Sequence, residues 1–435
     1  MKKGHFYRSG SMSVLMILAA CSFMISLGTS SYAADENVVK IGNILPLSGP
    51  SASVGIQNQK ACELATEYIN KAGGIKSLGG AKIVNIWTDS KGDPNVGVTA
   101  AEQLINTDKV HIISGAWNSA VTYPSTQVAE RYGIPYMVPV SVRDTITERG
   151  FKYTFRIAAK DSWWARDQFL FLEEQKKLTG TKLETMAFVY ENGDWGTGMR
   201  DQWTVLAKQF GYKVVLDEPY PSTASDLTPV VMKIKTRKPD VILLTSNAAD
   251  AILLTNTMAT MKVKAKAIIG TGGGHADPMF RKNTGKNCEY MFDVVEWETD
   301  LNRPEIPNLN AEFKKRNGYD LAGESVDAFA SVYVIADALE RAASTDPKKI
   351  RDALAATKLC VGGGKLGIDI LSYDCVEFDE TGQNRHAGIV LVQFREVNGR
   401  VLSFPRIAQQ EGERLPVLVG QRPQKLPPPG VRSEW

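Results

Sequence analysis

Histidine is scarce in this chain, with four residues in 435, and His111, His275 and His386 do not cluster with cysteine in the spacing that metal ligation needs. No G-x-S-x-G elbow, P-loop or HExxH occurs, so the usual nucleophile, nucleotide and zinc-hydrolase signatures are missing, and no cofactor is called for. A surplus of one charge sign is lacking as well. The formal net charge is +3, and it falls to 0 once Lys2, Lys3 and Arg8 are set aside as part of a leader. That leaves no basic excess to attract nucleic acid.

There is also no apolar run long enough to favour a membrane span. The best candidate, Val14 to Leu27, is broken by small residues and follows Lys2, Lys3 and Arg8, while Ser31-Tyr32-Ala33 puts small residues where a signal peptidase reads. Residues 1–33 therefore read as an export signal. Leu18-Ala19-Ala20-Cys21 also fits a lipobox, but Phe23 to Leu27 carries the apolar run past Cys21, so cleavage is preferred over lipidation. Four cysteines remain beyond the leader, Cys62, Cys288, Cys360 and Cys375. In an oxidising compartment an even number permits disulfides, and Cys360 with Cys375, flanking the turn VGGGKLGIDILSYD, is the best pair.

What is present is a regular alternation. KIVNIWTDS, VHIISGA, IPYMVPV, TMAFVYE, YKVVLDE, DVILLTS and KAIIGTG read as buried strands, with helical stretches such as VGVTAAEQLIN and MRDQWTVLAKQF between them. That pattern implies βα units and an α/β fold with parallel sheets. Roughly 400 residues beyond the leader exceed one ordinary core, so two lobes are expected. IVLVQFREVNGRVLSF, with Asn398-Gly399 as its turn, reads as a late hairpin, and the proline-rich tail from Gln421 as extended or disordered.

Val38 to Ile75 reads as a strand, the small-residue loop SGPSASVG and a long helix stopped by Gly73-Gly74. Together with GAWNSAVTYPSTQVAERYGIPYMVP, the F-R-x-x-x-x-D-S stretch at Phe155 to Ser162, YENGDWGTG, KPDVILLTS and FDETGQN, in this order, it resembles type I periplasmic solute-binding proteins of ABC importers, in the branched-chain amino acid (Leu/Ile/Val) binding family. The resemblance covers about Val38 to Phe404. It implies two Rossmann-like lobes joined by three crossovers, near Ala158, Asp293 and Asn384, around an interlobe ligand cleft. Its boundaries would be 1–33 for the signal, 34–158 plus 293–384 for the N-terminal lobe, 159–292 plus 385–405 for the C-terminal lobe, and 406–435 for the tail. It further implies a monomeric periplasmic protein that hands a small carboxylate or amino acid ligand to an inner-membrane ABC permease.

By itself Ser119 reads as an N-cap or turn residue; the resemblance makes it the serine that receives a ligand carboxylate. In the next post-strand loop, Pro139 to Arg143, backbone groups around Val140 would share that carboxylate, and Val142 stands where relatives use a threonine for the ammonium. Trp195 matches an aromatic from the second lobe, and Trp117 and Trp164 are further candidates for an aromatic-lined cleft, each with a core or surface role as the alternative. Asn247 and the Glu324 to Asp327 segment fall in cleft-lining regions, although caps and surface residues have the same appearance. Val54 replaces a tyrosine. Gly272 falls where amino acid binders place the acid that pairs with the ligand ammonium. A buried ammonium without its carboxylate would cost roughly several kcal/mol, so either Asp277 or another acid substitutes, or the ligand has no ammonium. The expectation is a carboxylate with an apolar or aromatic body rather than leucine itself. The competing readings are an exported α/β enzyme using Thr271 to Gly274 as an anion cradle, and the ligand-sensing subunit of a receptor.

Overall fold

The computed structural model describes Met1 and residues 37–299, 301–397 and 400–407, the last eight and Glu396 and Val397 as backbone only. The leader, Cys21, Asn398, Gly399 and the tail beyond Ile407 lie outside the described residues.

In chain order the first lobe's elements are β1 (Val38–Leu45), α1 (Ala52–Lys71), β2 (Lys82–Asp89), α2 (Pro94–Asn106), β3 (Ile112–Gly115), α3 (Ser119–Tyr132), β4 (Tyr136–Val138) and β5 (Thr154–Arg156). Then come α4 (Asp161–Thr179), β6 (Thr185–Glu191), α5 (Asp194–Phe210), β7 (Lys213–Tyr220), α6 (Thr228–Arg237), β8 (Val241–Thr245), α7 (Ala248–Thr260), β9 (Ala267–Thr271), α8 (Pro278–Thr284) and β10 (Phe292–Val295). The chain continues with α9 (Ile306–Asn317), α10 (Gly323–Ala342), α11 (Pro347–Ala355), β11 (Lys358–Cys360), α12 (Leu366–Asp369), β12 (Cys375–Glu377), β13 (Val390–Val397) and β14 (Arg400–Ile407).

The strands form a five-stranded sheet, β2-β1-β3-β4-β5, and a seven-stranded sheet, β14-β13-β10-β9-β8-β6-β7. In the second sheet the pairs from β7 to β10 are parallel, and the late hairpin adds antiparallel strands beyond β10. Strand alternation builds a core on each face of both sheets. In β1, Val39 and Ile41 pack with Ala61, Leu64 and Ala65 of α1, whereas Ile44 packs on the other side with Leu104 of α2 and Val121 of α3. In β6, Met186 and Phe188 meet Phe169 of α4 and Trp203 of α5, whereas Ala187 and Val189 meet Val231 of α6 and Leu254 of α7.

The chain passes between the sheets three times. It leaves the first after Arg156, returns after Val295, and crosses again between the Asn384 region and Val390. Asp293 is therefore not a crossover: it sits inside β10, paired with Gly270 and Val392, and the ladder carries the second sheet to Val295. Likewise β14 pairs through Ile407, beyond the expected lobe end at 405. On return, α9 and α10 lie against α1. Arg316 bonds Glu67 at 2.8 Å, and the buried thiol of Cys62 donates to Ala328 O at 3.5 Å. Burial pushes the Cys62 thiol up to about 12 and that of Cys288 to about 11, so both behave as packing residues.

A disulfide joins Cys360 to Cys375 at the end of the β11–β12 pair, closing a loop with a sequence separation of 15. Closing a loop of that length restricts the unfolded chain by about 3 kcal/mol. The double variant C360S/C375S should therefore lose about 3 kcal/mol in denaturant titration under oxidising conditions, and the wild type should show the same loss on adding reductant.

Candidate functional site

The loops that follow the strands at their carboxyl ends meet around a cleft of about 370 Å³, large enough for a small organic solute. From the first sheet come Pro50 and Ser51 after β1, Lys91 to Pro94 after β2, Trp117 to Ala120 after β3, and Val140 to Val142 after β4. From the second come Glu191 to Trp195 around the end of β6, Ser222 and Thr223 after β7, Asn247 after β8, Thr271 and Gly273 at β9, and Glu296 after β10. Glu324 enters from the first turn of α10. Of the residues expected at a ligand, Ser119, Trp117, Val140, Val142, Trp195, Asn247 and Trp164 thus stand in the lining.

Helix N-termini point their polar ends at this cleft, and the chain treats them differently. Asp93 caps α2 by accepting from Asn95 N and Val96 N. Glu191 covers the start of α5, accepting from Gly193 N and Gly196 N at 2.6 Å each. At α3 the N-cap Asn118 makes no side-chain capping bond, and its Oδ1 is a buried atom without a partner. Ser119 and Ala120, the first residues of that helix, line the cleft. The α3 N-terminus is thus the one of these three that no acid of the chain occupies, which suits it to an external anion. Ser119 Oγ accepts from Arg143 N at 3.4 Å, and Ser141 turns its hydroxyl onto Trp117 O at 2.7 Å, so the loop after β4 is held against the start of α3. Arg143 also reaches the second lobe, donating from Nη1 to Asp194 O and to Thr197 Oγ1.

Two of the expected ligand positions, Val54 and Gly272, do not reach the lining. Val54 is buried behind the wall, packed with Leu45, Trp117 and Val140, so it supports two lining residues rather than touching the cleft. Gly272 lies beneath a ring: a Cβ there would sit 2.7 Å from Trp164 Cζ3, and its φ of +58° disfavours any side chain. Its neighbour Gly273, with φ +51°, carries Trp195 in the same way, a Cβ falling 2.5 Å from Cη2. The glycine run is a shelf for two indoles. It is not an open anion cradle, because Gly272 N donates to Asp293 Oδ1 at 2.9 Å and Gly274 N to Ser246 O at 2.9 Å. Asp277 is engaged elsewhere, accepting from Met279 N at the start of α8, and lies outside the lining.

Besides Glu191, which covers the start of α5, the buried acids of the lining are Glu296 and Glu324, 3% and 6% exposed. Glu324 Oε2 accepts the indole N–H of Trp117 at 2.7 Å, and Glu296 Oε2 is buried without a hydrogen-bond partner. Burial pushes the Glu296 carboxyl up to about 7; burial and then the charge of Glu296 hold Glu324 well above the ordinary range. The inference from Gly272 that the ligand lacks an ammonium therefore loses its footing: Trp164 excludes an acid at that position, while β10 and α10 bring two others. Glu296 was missed by sequence reasoning. The available signal was a charged residue directly after the apolar strand Phe292–Val295, at a post-strand position.

The profile of the family described as Periplasmic binding protein matches residues 38–374, and the chain belongs to that family. The chain is similar to Leu/Ile/Val-binding protein homolog 7 of Brucella melitensis, with 29% identity over 402 residues, 89% of this chain and 96% of the relative. Among solved structures, a leucine-binding protein of Thermotoga maritima aligns with a TM-score of 0.72 and 20% identity over 84% of this chain and 98% of its own. A solute-binding protein of an ABC transporter from Rhodopseudomonas palustris, in complex with 3,4-dihydroxybenzoic acid, aligns with a TM-score of 0.73 and 19% identity over 87% and 99%. These structural likenesses establish the type I two-lobed fold. Among the described residues no helix is long and apolar enough to cross a membrane.

Two outcomes are expected. Gly272→Ala, forced to φ +58° against the Trp164 ring, should cost about 1–3 kcal/mol in denaturant unfolding and perturb tryptophan fluorescence. Because burial raises Glu296 from its ordinary 4.5 to about 7, its contribution to the ligand-free fold is complete below about 4.5 and is lost as pH rises through about 7. Glu296→Gln should flatten that fall in a thermal-denaturation series across the same window.

Proposed function

We propose that this protein is a non-enzymatic, periplasmic solute-binding component of an ABC importer of the branched-chain amino acid type, taking a small carboxylate-bearing solute with an apolar or aromatic body. The observation that carries this reading is the cleft itself: an α3 N-terminus free of any acid of the chain, beside the lining indoles Trp117, Trp164 and Trp195. The solute carboxylate accepts from Ser119 and the first N–H groups of α3, and the indoles cover its body. The cleft is built from both sheets, so a solute bound there favours the closed arrangement of the lobes, which the permease recognises. In this reading the protein acts as a monomer after cleavage of residues 1–33, without lipidation of Cys21. Its lobes comprise 34–158 with the return segment ending near Asn384, and 159 to Val295 with the late hairpin.

Two proteins of similar fold, one a leucine-binding protein and the other in complex with 3,4-dihydroxybenzoic acid, span the solute chemistry to be tested. Isothermal titration of purified protein with leucine, isoleucine, valine and a series of benzoic acids should find a one-to-one binder recovered chemically unchanged. Ser119→Ala and Trp195→Ala should each weaken it by roughly tenfold or more while the fold is retained. Conversion of the compound during the titration would favour the exported-enzyme reading instead.

A further inference from the structure

Arg143 touches both walls of the cleft. Its backbone N–H donates to Ser119 Oγ at 3.4 Å in the first lobe, while its Nη1 reaches the second, donating to Asp194 O and Thr197 Oγ1 in the first turn of α5. Other bonds of the same loop stay beside the crossover: Asp161 N donates to Val142 O at 2.8 Å and Ser162 N to Asp144 Oδ1 at 3.0 Å. A hinge rotation spares such bonds, because displacement is least at the pivot. Asp194 lines the cleft from the second sheet, so widening the cleft carries it away from the loop after β4.

The second lobe is shaped to admit the guanidinium. At Gly198, buried within α5, a Cβ would lie 2.9 Å from Arg143 Nη1, 3.0 Å from its Cδ and 2.5 Å from Asp161 Oδ2. Helical backbone makes no demand for glycine, and alanine is the better helix former, so what Gly198 supplies is room. Asp161 is 1% exposed and its Oδ1 has no hydrogen-bond partner. Burial pushes its carboxyl well up and Asp144 adds to the shift, while Arg156 and Arg143 oppose it. Withdrawing Arg143 leaves this buried acid with one cation fewer, which makes opening more costly.

We infer that Arg143 is a closure latch: a positioning residue whose guanidinium, seated in the notch at Gly198, holds the lobes together over a bound solute and sets how slowly the solute leaves. This rests on the solute-binding reading above and goes beyond it. The lining fixes what is taken, and Arg143, which is outside the lining, fixes how long it is kept. A solute seated on Ser119 also steadies the loop that aims the guanidinium, since Ser119 Oγ holds the Arg143 N–H. Solute passes in and out through the open cleft, so a tie made only on closure acts on dissociation far more than on association.

Stopped-flow tryptophan fluorescence on the mature, exported protein tests it, with L-leucine or 3,4-dihydroxybenzoate as the probe, whichever calorimetry finds the tighter. R143A should release the probe at least about tenfold faster, with association within about threefold of the wild type. G198A, whose added methyl meets side-chain ends rather than backbone, should shift dissociation in the same direction, and it decides the matter if R143A fails to fold. Unchanged dissociation in R143A, or a loss of affinity that lies in association, would overturn the latch while leaving the solute-binding reading intact. Should neither probe bind, that reading fails for both chemistries, and small-angle X-ray scattering of the ligand-free protein decides the latch by itself. R143A should then show a larger radius of gyration than the wild type, and equal radii would overturn it.

Discussion

The guanidinium of Arg156 is the constraint on which the cleft and the passage between lobes both depend. The residue is fully buried at the end of β5, where the chain leaves the first sheet. Its Nη1 donates to Ser141 O at 3.1 Å and Arg143 O at 2.7 Å, Nη2 to Thr147 Oγ1 at 3.0 Å, and Nε to Gln383 Oε1 at 2.6 Å. One side chain thus fixes the loop that presents Val140 and Val142 to the cleft and ties it to the Gly382–Asn384 segment that leads into the last pass. Backbone bonds from Arg156 N to Gly382 O and from Asn384 N to Arg156 O lock the same two segments. Burial lowers the guanidinium to about 10, with Asp144 and Asp161 opposing the shift, so it remains charged at neutral pH and its donors stay matched to those acceptors.

On this frame the cleft divides its chemistry by which backbone dipoles the chain has already satisfied. Asp93 and Glu191 neutralise the starts of α2 and α5, and the start of α3 is left for an anion. Had Glu191 been apolar, two helix ends would compete for one carboxylate, and orientation of the solute would be less defined. The indoles act through packing on glycine, where the missing Cβ atoms allow Trp164 and Trp195 to lie against the loop after β9. Arg143, crossing from the loop after β4 to Asp194 and Thr197 of α5, adds a polar tie between the walls contributed by the two sheets.

Much of this was legible in the chain. Most of the central strands, such as β1, β3, β6, β8 and β9, are apolar runs of four to eight residues bounded by turn signals, and because parallel strands are buried on both faces such runs stand out from the amphipathic helices. Post-strand positions, read with the family resemblance, therefore pointed to Ser119, Trp117, Val142, Trp195 and Asn247, which stand in the lining. Limits appeared where a residue's neighbours come from distant segments. Asp293 and Val295 read alike as strand residues, and pairing with Gly270 and Val392 decides where the second sheet ends. Val54 sits one layer behind the surface, behind Trp117 and Val140, a depth that spacing along α1 does not report.

The sequence by itself determined the α/β character, the alternation that makes two sheets, and the order of motifs that marks the family, because these depend on local periodicity and on short segments read in succession. Only the tertiary structure decided what the glycine run means. Read along the chain, Gly272 was a missing acid; in space it is the bed of Trp164, a residue more than one hundred positions earlier. The acids of the cleft arrive instead from Glu296 and Glu324, brought together by the return of the chain between the lobes. Charge compensation depends on distance in three dimensions, and no periodicity along the backbone carries it.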